Sequence, residues 1–146
     1  LVQDLSKLDA GRIIARRRHF SDVEAEITRR FRNPDIAGRA QKEVQAKYAE
    51  DDILMERIAR IRTVWPGLRQ RLADHLLSLD DMKGMLAAAG VATEPAAIGI
   101  DQAYHRETLI ASRLIRRRYT ILDFLEECGC FDRAVAEIFS NAGRWG

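Results

Sequence analysis

The chain has 146 residues, 24 basic and 22 acidic side chains and a formal charge of +2, which is the length of one domain with no strong electrostatic bias. At 47% hydrophobic and 32% charged, with nine glycines and three prolines, it is too apolar for disorder and too charged for a membrane span. No apolar run approaches the roughly 20 residues a bilayer requires.

Cys128 and Cys130 have one residue between them, a spacing that disfavours an ordinary bridge and falls short of C-x-x-C. Both read as reduced thiols of a cytoplasmic protein. The chain opens on Leu1, and Asp4, Lys7, Asp9 and Arg16-Arg17-Arg18 follow, which no signal-peptide apolar region tolerates. The expectation is a single helical domain over residues 1–146, a C-terminal fragment with residues missing upstream.

Local preferences point to helices throughout, because alanine is abundant and no alternating run of strand length stands out. The first start signal is Ser21-Asp22-Val23-Glu24, a capping box in which Ser21 bonds first-turn amides and Glu24 reaches back. Asn33-Pro34-Asp35 stops that helix, and a second is expected from about Ile36 to Tyr48. A third starts near Asp52, with Leu54, Ile58, Ile61 and Trp65 on one stripe, and Pro66-Gly67 is expected to end it. Leu68, Leu72, Leu76 and Leu77 continue with helical spacing.

Ser78 before Leu79-Asp80-Asp81 reads as a cap with acids in the first turn, and Gly90 as a left-handed stop. Thr93 as a cap candidate and Pro95 at an early position mark a short turn of helix within residues 91–100. Asp101 caps the next helix, expected to run through Ile110, Ala111, Leu114 and Ile115, Thr120 with Asp123 caps the one after, Gly129 ends that, and Phe131–Ser140 is the last. The fold class is therefore all-α, an orthogonal array of about seven or eight helices.

No glycine pattern makes a dinucleotide fingerprint or a P-loop, and His19, His75 and His105 form no ligand pair. No serine sits in G-x-S-x-G and neither cysteine has a neighbouring base. Arg16-Arg17-Arg18 and Arg116-Arg117-Arg118 are basic clusters of the kind that neutralises phosphates, with Arg113, Arg116, Arg117 and Tyr119 as a candidate edge. A helix spreads three consecutive residues around its circumference, however, and the acids nearly cancel the bases, so nucleic acid is not the expected partner. Phe20, Phe31, Trp65 and Phe124 are assigned to the core, and Trp145 to an exposed, partner-covered or docked tail.

The run Ile115-Arg116-Arg117-Arg118-Tyr119-Thr120-Ile121-Leu122-Asp123, followed by Gly129, resembles the C-terminal signature of the sn-glycerol-1-phosphate dehydrogenases and their bacterial relatives. Gly90-Val91-Ala92 through Pro95 to Ile98-Gly99-Ile100 is similar to a passage before the same helix. Trp65-Pro66 and the Arg57–Arg62 stretch fit as well, so the likeness spans about residues 50–130.

The resemblance implies the helical C-terminal domain of a metal-dependent polyol dehydrogenase with a dehydroquinate-synthase-like fold, not catalytic alone. The parent enzyme would reduce dihydroxyacetone phosphate with NAD(P) and zinc, held by an N-terminal nucleotide-binding domain and by an Asp and two His. No metal ligand carries over, because His19 is followed by Phe20 where the family has His-Gly. The motif residues Arg116, Arg118, Tyr119, Thr120, Asp123 and Gly99 are expected to be structural or to line the cleft. Thr120 and Asp123 would cap a helix, Tyr119 would pack between helices, and Arg116 or Arg118 would pair with a carboxylate or helix carbonyls, or meet the substrate phosphate. The expected partners are the nucleotide-binding domain and further copies through helical surfaces, with no membrane. The alternative is a helical binding module for a protein or nucleic acid.

Overall fold

The computed structural model describes residues 4–140, and among them the chain is all-helical, with eight α-helices, two 3-10 turns and no strand. A 3-10 turn at Leu5–Lys7 precedes α1 (Ala10–Arg16), α2 (Phe20–Arg30), α3 (Pro34–Gln45) and the long α4 (Asp51–His75). Then come α5 (Leu79–Ala88), a second 3-10 turn (Pro95–Ile98), α6 (Gln102–Ser112), α7 (Ile121–Glu127) and α8 (Phe131–Ile138). Trp145, assigned above to the tail, lies outside the described residues.

Most start and stop signals act as expected. Ser78 accepts from the Asp81 amide, Asp101 from the Tyr104 amide, and Gly90 and Gly129 sit at φ 72° and 65° just past their helices. Asn33 does more than stop α2: its side chain accepts from the Asp35 and Ile36 amides and opens α3, with Pro34 in the first turn.

Six expectations are corrected. The helix expected from about Ile36 to Tyr48 starts at Pro34 on the Asn33 cap and ends at Gln45. The helix capped by Asp101 ends at Ser112, short of Leu114 and Ile115. The helix expected from Ser21 starts at Phe20 with His19 as its cap, and no side chain caps it. Phe20 packs on the α2–α3 core and edge-on to Tyr48, with ring centroids 5.1 Å apart, which draws the helix back one residue. Pro66 and Gly67 do not end α4, which runs 25 residues to His75. Proline removes one hydrogen bond but leaves the stripe intact, and Leu68 stays partly covered beyond it. Glu94, not Thr93, holds the cap position of the second 3-10 turn, and no side chain bonds there. The last helix ends at Ile138, two residues short of Ser140. The structure adds α1 and the turn before it, each opened by an aspartate: Asp4 accepts from the Ser6 amide and Asp9 from the Arg12 amide.

Two apolar clusters hold the body. In one, Leu5 and Leu8 from the start of the chain meet Ala49, Leu54 and Ile58 of the α4 region and Cys128 and Cys130, with Trp65 and Phe124 partly buried against them. In the other, Val23 and Ile27 of α2 pack on Ala37, Ala40 and Val44 of α3 and on Leu114, with Phe20 and Phe31 at the edge. The four aromatic core assignments hold as packed, partly buried rings.

From residue 59 to residue 112 no side chain is buried. Here the second half of α4, α5, the second 3-10 turn and α6 form an arm. Leu76, Met85 and Ile98 are 67%, 63% and 65% exposed. The arm returns to the body through Arg30 Nη1, which donates to Glu107 Oε2 at 2.6 Å, and through the edge-to-face contact of His105 with Phe139. No helix among the described residues is long and apolar enough to cross a membrane.

Candidate functional site

The segment that carries the motif, residues 113–127, leaves α6, turns, and re-enters helix at α7. Thr120 and Asp123 form the expected capping box: the Asp123 carboxylate accepts from the Thr120 amide at 2.8 Å and from its hydroxyl at 2.9 Å. The same carboxylate lies 2.6 Å from Lys47 Nζ, with the two side chains 10% and 9% exposed. Lys47 also donates to the Arg113 carbonyl at 2.6 Å. One buried cation thereby ties α7 and the end of α6 to the segment after α3.

Tyr119 is half exposed. Its hydroxyl donates to Glu127 Oε2 at 2.7 Å, and Arg57 Nη1 donates to Glu127 Oε1 at 2.6 Å, so the ring lies between α4 and α7. Burial first, and then the bond to Glu127, push the Tyr119 phenol well above its ordinary range. Among the arginines of the motif it is Arg117 that finds a carboxylate: its amide donates to Glu43 Oε2 at 2.9 Å and its Nη2 lies 3.3 Å from Glu43 Oε1. Arg116 and Arg118 are exposed. Gly99 ends the second 3-10 turn in the left-handed region, φ 74°, on the arm and away from the buried groups.

The charged centre of the body is Glu26, on α2 and 6% exposed. Its carboxylate accepts from Arg18 Nη1 and Arg30 Nε, each at 2.6 Å, and lies 3.6 Å from Arg113 Nη2. Burial alone would raise the Glu26 carboxyl, but the bonds from Arg30 and Arg18 outweigh it and hold the acid below its ordinary value. Arg18 also reaches Glu126 Oε1 at 2.8 Å and so joins α2 to α7. Arg113, 6% exposed, lies over the Phe131 ring at 4.9 Å.

Sequence reasoning missed Lys47 and Glu26 because nothing marks them locally. The only available signal for Glu26 was its position between Val23 and Ile27 on the apolar face of α2. The edge suggested for Arg113, Arg116, Arg117 and Tyr119 does not form as one surface, since Arg113 is buried while the other three are exposed.

Of the first arginine triplet, Arg17 stacks on Tyr48 at 3.9 Å and pairs with Asp51 at 2.8 Å, Arg18 is held as above, and Arg16 is exposed. Between this triplet and α7–α8 lies an open cleft of about 640 Å³, bordered by Arg16, Lys47, Arg113, Tyr119, Asp123 and Gly129 among others. The carboxylates that α7 brings to it are engaged: Asp123 with Lys47, Glu126 with Arg18, and Glu127 with Arg57 and Tyr119.

Among the described residues no group of three or more His, Cys, Asp or Glu could hold a metal ion, and no strand-to-helix glycine turn is available for a dinucleotide. The described residues therefore do not fit zinc or NAD(P), the groups the resemblance implies. Both cysteines are buried and no disulfide joins them. Burial first, then Cys130 and Glu127, push the Cys128 thiol up to about 12, so it is a packing residue and not a nucleophile.

Fold and site together define, among the described residues, an all-α protein in which the carboxylates of α7 and Glu26 of α2 are paired with basic side chains from other parts of the chain. No protein-family model, no curated protein and no solved structure matches the chain.

Proposed function

We infer that the chain is the helical C-terminal part of an NAD(P)-dependent, metal-dependent oxidoreductase of the sn-glycerol-1-phosphate dehydrogenase type, and that it builds a wall of the enzyme without turning over substrate alone. One observation carries the inactive half of this reading: the carboxylates and the tyrosine hydroxyl of residues 119–127 are taken up in capping and ion pairs. They hold the segment's shape and supply no free acid, base or ligand. The identity of the parent rests on the likeness of residues 115–123 and 90–100 to the family. In this reading NAD(P) and zinc belong to a nucleotide-binding part of the parent, which is also the chain's main partner, and helical surfaces supply a subunit contact. A cytoplasmic location is part of this reading, supported by two cysteines that form no disulfide.

The test is an assay of dihydroxyacetone phosphate reduction with nicotinamide cofactor and zinc. The purified 146-residue chain should give no turnover, while the same residues expressed behind their upstream coding sequence should. Reproducible turnover by the chain alone refutes the reading. The bare arm favours a second reading, a helical module that binds a protein, which predicts no activity in either form.

A further inference from the structure

The arm of residues 59–112 is the largest feature of the molecule that the site leaves unexplained. Six of its large apolar side chains, Leu72, Leu76, Leu77, Met82, Met85 and Leu86, are exposed. The packing between helices is carried by α2 with α3, by α1 and the first 3-10 turn with α4, and by α7 with α8, and α5 belongs to none of these pairs. We propose that this arm is a self-complementary docking surface, and that its occupant is the arm of a second copy of this chain. The proposal locates the subunit contact included in the preceding section but does not need the dehydrogenase chemistry.

Area is the first argument. The chain exposes 10257 Å², whereas a compact monomer of 16.6 kDa exposes about 7,600 Å². The excess is about 2,700 Å² per chain, and covering only half of it in each of two copies would bury about 2,700 Å² in total, within the range of obligate homodimers. The exposed leucines and methionines of the arm are the apolar part of that surface, and apolar side chains gathered on one face mark an interaction site.

Charge selects a second copy. Residues 59–75, the outer half of α4, carry Arg60, Arg62, Arg69 and Arg71 against Asp74. Residues 79–102, from α5 to the start of α6, carry Asp80, Asp81, Glu94 and Asp101 against Lys83. Each stretch has an excess of three charges, of opposite sign. A two-fold axis that lays the outer α4 of one copy on α5 of the other makes both contacts attractive, because what residue i of one copy gives to j of the other is returned by symmetry. Arm and arm together are neutral, so a strongly charged partner such as a nucleic acid or an anionic membrane has no comparable purchase.

The experiment is light scattering on the eluting 146-residue chain from micromolar to submillimolar concentration. It uses three variants whose changes fall on exposed positions, with helicity checked by circular dichroism. The wild type should elute at twice 16.6 kDa. Leu76→Asp, Arg69→Glu/Arg71→Glu and Asp80→Arg/Asp81→Arg should each weaken association at least about tenfold. The decisive sample is a mixture of the last two, in which both cross-contacts become attractive again, and it should recover the dimer as a one-to-one heterodimer.

A wild type that stays monomeric at submillimolar concentration overturns the proposal, and so does a mixture no tighter than its components. Formation of a complex with a separately purified nucleotide-binding part in place of the dimer also overturns it, while leaving the dehydrogenase reading intact. A dimer that passes the mixing test while the longer protein shows no hydride transfer leaves this proposal standing and removes the other.

Discussion

Asp123 is the residue through which α7 is both started and anchored, and its removal has a magnitude that can be built from its contacts. Asp123→Ala deletes the acceptor for the Thr120 amide, a helix cap worth about 1 kcal/mol. It also leaves Lys47, whose side chain is 9% exposed, without its counter-charge. Breaking a buried pair from one side costs about 3–5 kcal/mol. The lower end applies here because Lys47 keeps its bond to the Arg113 carbonyl. The expected loss is therefore about 4 kcal/mol, a large share of the roughly 5–15 kcal/mol that holds a domain together.

Asp123→Asn keeps an acceptor for the cap and should cost about 3 kcal/mol. Adding Lys47→Met to Asp123→Asn removes the orphaned cation and should restore most of that loss, leaving a deficit under about 1.5 kcal/mol. Urea unfolding at pH 7, followed by helical ellipticity, gives all three values. If Asp123→Ala cost less than about 1 kcal/mol, or if Lys47→Met made Asp123→Asn worse, the account of this pair as a buried, mutually dependent anchor would fail.

The remaining predictions concern acid, thiols and the proline. Since the folded Glu26 carboxyl lies below its ordinary value of 4.5, its contribution is fully present above that pH and is lost as the pH falls through the folded value. Thermal melts from pH 7 to pH 3 should fall less steeply below 4.5 in Glu26→Gln than in the wild type, although Glu26→Gln starts from a lower stability. With the Cys128 thiol pushed from 9.0 to about 12, about a thousandfold fewer thiolates are present at pH 8. Iodoacetamide should thus label the protein in urea but hardly at all when folded, as read by mass spectrometry. Pro66 is exposed inside α4, and Pro66→Ala supplies the missing amide to the Arg62 carbonyl. It should stabilise the helix by about 1–3 kcal/mol, visible as slower amide exchange over residues 62–75, and unchanged exchange would show that the turn around Pro66 is already broken.

Signals that act within one helical turn were legible in the sequence. Ser78, Asp101 and the Thr120–Asp123 box work through amides two or three residues away, and Gly90 and Gly129 through their own φ angles, so the residue types sufficed. Pro66 misled because its penalty is local and fixed at one hydrogen bond, whereas the apolar stripe from Leu54 to Leu68 acts along about four turns. Phe20 shifted a helix start because its ring had a place against Tyr48 that only the fold supplies.

In the candidate site the same division holds. The capping role of Thr120 and Asp123 was readable, but Lys47 lies 76 residues from Asp123, and Arg113 lies 87 from Glu26. Charges at positions that look solvated became buried because each met a counter-charge from another helix. The expectation that Arg116 or Arg118 finds a carboxylate placed the contact one residue away from Arg117, which has it. Which member of an arginine run faces a neighbour depends on the path of the turn after α6, and the run itself does not encode that.

The first apolar cluster joins distant parts of the chain: Leu5 and Leu8 share it with Cys128 and Cys130, and Arg18 bonds Glu126 across 108 residues. On a ribosome, where roughly 5–20 residues are added each second, Leu8 waits about 6–24 s for Cys128 to be made. The α2–α3 pair is local and can associate as soon as Val44 is out, and Leu114 completes it later. The arm emerges in the interval, with its leucines and methionines unburied. The nascent chain thus shows its stickiest segment before its body can close, and a chaperone that recognises exposed apolar helices would meet the arm first.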